Sequence, residues 1–187
     1  MTPIQSFAVA ATTWQSFYLL AGTAAATLIG LMFVAVTFGS RLVGAQSPDS
    51  ARSFVEPPFY HFVNVLITAC LVVIPTMSAR LLAAALLAMS VLRTAVLFRI
   101  HRHMREAQQK FGDIELSDWL SAIVVPLLCY LLLGASGAAF FAGYNAAFSG
   151  LALATLATLV LGIFAAWELM IWMALTRAQK ESGAAED

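Results

Sequence analysis

Charge is what this sequence has least of. Only 11% of its 187 residues are Asp, Glu, Lys or Arg, against about 25% in soluble domains. A chain that is also 61% hydrophobic lacks the polar side chains to clothe a water-facing surface. Its basic and acidic residues number ten each. That balance speaks against a nucleic-acid partner, which calls for a basic patch.

Cysteine is nearly absent. Cys70 and Cys129 both lie in apolar runs, so a disulfide framework is excluded and buried, inert thiols are expected. The first thirteen residues hold no Lys or Arg, so the positive start of a secretory signal is missing. Reaction chemistry is missing as well: no HExxH, no GxSxG and no glycine-rich phosphate loop occur. Intramembrane proteolysis would need a Ser–His or paired-aspartate set, yet Asp118, at a boundary, is the sole aspartate of any span. The expectation is a protein that is not an enzyme and has neither cofactor nor metal.

Long apolar runs are what the sequence does have. Residues 151–175 read LALATLATLVLGIFAAWELMIWMAL, apolar but for two threonines and Glu168. About twenty such residues cross a bilayer as a helix. Residues 57–98 are too long for one crossing, since as one helix they would reach about 63 Å, twice the hydrocarbon core. The break belongs at Pro75-Thr76-Met77-Ser78. The reading is an all-α polytopic transmembrane bundle in one domain, 1–187. Its five spans fall near 13–39, 57–77, 79–98, 118–143 and 151–175, with the second and third forming a tight hairpin. A hydrophilic connector, 99–117, and a polar tail, 176–187, complete it.

Local signals refine the ends. Trp14 and Tyr18 are expected as interface aromatics at the start of span one. Pro57 and Pro58 suit the first turn of span two, after a loop over 40–56. The first half of 99–117 continues span three as a helix, with Glu106 and Lys110 paired one turn apart. Ser117 is placed as the cap of span four, and Pro126 is expected to kink that span.

Orientation follows from the cations. Arg41, Arg52, Arg99, Arg102, Arg105, Lys110, Arg177 and Lys180 all fall on one side if the amino terminus is outside, and only Arg80 falls opposite. Cytoplasmic loops carry the Lys and Arg excess, so the prediction is N-out, C-in.

Two polar patterns stand out. In span one Gly22, Ala26 and Gly30 repeat every four residues, a spacing that lets helix backbones approach closely. Beside them Ser16, Thr23, Gly30 and Thr37 recur every seven, with Thr27 between, making one small and polar stripe. The stripe reads either as packing, with hydroxyls bonded to their own helix, or as the lining of a water-filled path. The second pattern gathers His61 and Asn64 of span two, Arg93 of span three and Glu168 of span five at similar depth near the cytoplasmic side. Arg93 and Glu168 stand about 9 and 10 Å from the inner ends of their spans. They are a natural charge pair that His61 could extend, serving either as a structural lock or as part of a solute path. Trp167 and Trp172 read as interface anchors. His101 and His103 do not share a helix face and have no completing carboxylate or thiol, so a cytoplasmic surface near lipid headgroups fits them better than a metal.

The stretch GLMFVAVTFGSRLV, followed by a hydrophobic hairpin broken at Ile74-Pro75-Thr76, resembles a loose group of small bacterial membrane proteins of unknown function. The resemblance covers the first half of the chain, implies a bacterial inner membrane, and carries no functional residue. The leading functional reading is a homo-oligomeric channel or pore for ions or small solutes within the lipid bilayer. Five short spans leave little room for an internal conduit, so the path would lie on a symmetry axis. The polar cluster would act at its cytoplasmic mouth. The alternative is a structural or regulatory subunit bound to a larger membrane partner.

Overall fold

The computed structural model describes residues 3–43, 48–108 and 123–183. Its elements are α1 (Pro3–Val43), α2 (Pro48–Val73), α3 (Ala79–Gln108), α4 (Val125–Phe141) and α5 (Ala147–Gly183), with no strand among the described residues. Among the described residues four stretches are long and apolar enough to cross a membrane: Phe7–Phe38, Glu56–Val73, Ala79–Arg99 and Ala147–Ala178. The helix is what an apolar solvent demands, because every backbone N–H and C=O must find its partner within the segment. The fourth helix is apolar but shorter, at 17 residues. Ser117 and Asp118, where its span was predicted to start, lie outside the described residues.

The break between α2 and α3 falls at the predicted site. Met77 N–H donates to the Ile74 carbonyl at 3.1 Å, closing a four-residue turn with Pro75 in the position that favours its fixed φ. Ser78 then caps α3, its Oγ accepting the Leu81 N–H at 3.2 Å.

One pair of prolines departs from expectation. Pro57 and Pro58 lie inside α2 rather than at its start. The helix begins earlier at Pro48, where a proline at the first position and the acidic Asp49 suit the positive helix end. The proline pair keeps helical φ while the carbonyls of Ser53 and Phe54 lose their usual donors. Pro126 is the second residue of α4 and follows a wide helical turn at Ile123–Val124; the residues before Ile123, where the predicted span begins, lie outside the described ones.

The link from α4 to α5 is built on Gly143, whose φ of 82° is left-handed. The Gly143 N–H reaches the Phe140 carbonyl at 3.1 Å and the Tyr144 N–H reaches Ala139 at 3.0 Å, the paired bonds that close a helix C-terminus. Open space surrounds the position where a Cβ would go. Gly143→Ala should therefore cost only the backbone preference, about 1 kcal/mol, measurable as a lower unfolding midpoint in detergent. An unchanged midpoint would show that the turn relaxes out of the left-handed region.

The chain divides into two units, Met1–Leu20 with Thr68–Ala157, and Ala21–Ile67 with Thr158–Asp187. Phe7, Phe140 and Phe148 meet edge-on or tilted in the core of the first, with ring centroids 4.8 to 6.0 Å apart. Tyr18 belongs to this core and not to an interface belt. It is fully buried, and its hydroxyl donates to the Phe148 carbonyl at 3.3 Å, which satisfies the one polar atom that burial would strand. Trp14 is half-buried, edge-on to Phe17.

In hydrocarbon the hydrophobic effect does not press helices together, so close packing and hydrogen bonds must. Between α3 and α4 both are present. A Cβ at Gly137 would lie 3.1 Å from the Ala83 carbonyl oxygen, and one at Gly134 2.6 Å from Ser90 Oγ. Ser90 uses that room to donate to the Tyr130 carbonyl at 2.7 Å. The small-residue run Gly134–Ala139 thus packs helix to helix, as its composition suggests.

The second unit has its own core. Ala21, Ala25 and Met32 of α1 pack with Phe62 and Val65 of α2 and with Leu169 and Met173 of α5.

Candidate functional site

The second unit holds most of the predicted polar residues, on two kinds of surface. His61 and Asn64 are inside it, 8% and 3% exposed. They lie one turn apart on α2, flanking the fully buried Phe62. Opposite them α5 presents Gly162, where a Cβ would come within 2.6 Å of Phe62 Cε1 and 3.2 Å of His61 Cβ. Only a residue without a side chain lets α2 and α5 approach this closely. The Asn64 side-chain oxygen is buried and accepts no hydrogen bond among the described residues.

Glu168, Thr23, Thr27 and Thr37 are on the outside of the same unit. Burial on α5 follows Thr158, Gly162, Leu169 and Met173, and Glu168 falls on the other side, among the exposed Phe164, Trp167 and Ile171. A carboxylate exposed within a span costs about 2.5–3.5 kcal/mol on insertion scales if lipid is its neighbour.

The hydroxyl stripe of α1 is exposed throughout: Thr23, Thr27, Gly30 and Thr37 all face outward. Thr27 donates to the Thr23 carbonyl at 2.9 Å and Thr37 to the Phe33 carbonyl at 2.7 Å. These are bonds back to the preceding turn, which satisfy a hydroxyl in apolar surroundings. Of the small residues beside the stripe, Gly22 is buried while Ala26 and Gly30 are exposed.

Arg93 belongs to the first unit, where it is half-buried on α3 and interacts electrostatically with Tyr130 of α4. The side chains of His101 and His103 lie outside the described residues. Among the described residues no three His, Cys, Asp or Glu stand together in a set that could hold a metal. Neither cysteine is in a disulfide; Cys129 is buried, but Cys70, expected inside, is exposed. Trp167 is exposed and Trp172 packs partly against the second core.

Sequence reasoning passed over Gly162, Thr155 and Thr158, noting the threonines only as interruptions. All three are buried, the threonines at 3% and 2% exposure. Their signal was available in the spacing, since 155, 158 and 162 fall on one helix face. Thr155 donates to the Leu151 carbonyl at 2.8 Å, which lets its hydroxyl sit inside.

Among the described residues the architecture is all-helical, with several helices long and apolar enough to cross a membrane. No protein-family model, curated protein or solved structure matches the chain.

Proposed function

We propose that the chain is a non-catalytic channel or pore for ions or small solutes, formed by several copies in a bacterial inner membrane. In this reading it crosses five times, α4 with the segment before it providing one crossing, and the amino terminus is outside. One observation carries the proposal: in the second unit the hydroxyl stripe of α1 and the Glu168 carboxyl point outward, while Met32, Phe62, Leu169 and Met173 fill the interior. Polar groups on the outside of apolar helices favour a path between copies over one within a copy. Threonine hydroxyls suit a neutral lining, and a carboxylate suits cation selection at the inner mouth.

Purified protein in liposomes tests this. A tracer cation should leave the vesicles, and Glu168→Gln should lower cation-over-anion preference. A unit charge 4 Å from a passing ion contributes about 1 kcal/mol even in bulk water, so the change should be about fivefold or more. No flux for any ion or small solute tried, together with a tight heteromeric complex, would instead establish a subunit of a larger membrane assembly.

A further inference from the structure

We infer that His61 is a proton-binding site inside the second unit, with the Asn64 side-chain oxygen as the acceptor that serves its charged form. The ligand is the proton itself, drawn from water at the Glu56 end of α2.

The acceptor is the starting point. Asn64 is 3% exposed, and its Oδ1 accepts no hydrogen bond among the described residues. A buried carbonyl oxygen in that condition is destabilising until a donor arrives. Asn64 follows His61 by three residues on α2, a spacing at which side chains of one helix are neighbours. A neutral imidazole donates from one ring nitrogen only. A proton added to the lone pair of the other makes donors of both. The charged ring therefore brings a donor that the neutral ring lacks, and a hydrogen bond from a cation is the stronger kind.

The surroundings suit a proton and no larger guest. On the α5 side a Cβ at Gly162 would lie 3.2 Å from His61 Cβ and 2.6 Å from Phe62 Cε1, so that contact has no room for a hydrated ion. Nor does an acid compete with Asn64 for the charged ring among the described residues of the unit. Glu56 and Tyr60 on α2, and Glu168 and Arg177 on α5, are all exposed, and α1 carries no titratable side chain over 21–38. Water is near, because His61 stands about 8 Å along the helix from Glu56, where the span begins.

Nuclear magnetic resonance of the full chain in nanodiscs, with labelled imidazole, tests the site. In a background with His101→Gln and His103→Gln, the one remaining imidazole should pass from its neutral to its charged form between about pH 8 and about pH 5. Asn64→Leu removes the acceptor and should lower the proton affinity about tenfold or more, the effect of one hydrogen bond to a charged group. The unfolding midpoint gives a second readout. Any gain of Asn64→Leu over the wild type at the upper pH should shrink at the lower pH, and His61→Gln should abolish that dependence. If Asn64→Leu fails to fold, Asn64→Ala takes its place in both measurements. A wild-type imidazole that stays neutral throughout the range overturns the site. An affinity that the Asn64 variants leave unchanged overturns the pairing with Asn64.

Discussion

Replacing Gly162 with leucine is expected to destabilise the protein by about 3 kcal/mol or more, the upper range for overpacking a filled core. Even the first added carbon would lie 2.6 Å from Phe62 Cε1 and 2.9 Å from Cδ1, inside any real contact distance. Phe62 cannot swing away, because its ring is fully buried among Ala25, Val65 and Leu169. Relief must come from moving α2 away from α5, and that gives up the many small dispersion contacts that hold helices together in lipid. Unfolding by a denaturing detergent, followed by tryptophan fluorescence, measures the loss. Gly162→Ala should fall between, since its better helix propensity, worth about 1 kcal/mol, offsets part of the clash. A loss under 1 kcal/mol for the leucine variant would contradict the close approach of the two helices.

Asn64→Leu is expected to act in the opposite direction, raising stability by about 1–2 kcal/mol. A buried carbonyl oxygen with no donor carries a desolvation penalty of about 1–3 kcal/mol. Asn64 is 3% exposed and its Oδ1 is in that condition among the described residues. Leucine has a similar outline and no polar atom, so the penalty disappears with little change in packing. A midpoint lowered by more than 1 kcal/mol would mean that the amide is held by a bond stronger than its desolvation cost.

The two predictions differ in how visible their residues were. Asn64 and Glu168 stand out in an apolar run because each is polar where hydrocarbon is expected. Gly162 does not, since glycine is common in membrane helices and this one differs from the exposed Gly30 only in its neighbours. The Gly134–Ala139 run was legible as a packing surface because small residues cluster there. The stripe on α1 was legible as a stripe, but its two readings differ only in which way the helix turns.

The prolines show a second limit. A helix start is a local event, read from a proline and an acid near the positive end, and the chain offers that signal at Pro48–Asp49 as well as at Glu56–Pro58. The earlier one prevails in α2. The turn at Ile74–Ser78 had no such rival, because a proline and a capping serine coincide there with the length at which a span must end.

By itself the sequence determined that the chain is helical, that several of its helices are long and apolar enough to cross a membrane, and that α2 and α3 part at Pro75. Those follow from backbone hydrogen bonding and hydrocarbon thickness, which depend on composition along the chain. Only the tertiary structure decided which face of each helix turns inward: Tyr18 and Asn64 to the inside, Thr27 and Glu168 to the outside. In water an apolar stripe marks the buried face. In lipid both faces are apolar, so the choice falls to shape, and to glycines such as Gly137 and Gly162 that let two particular helices meet.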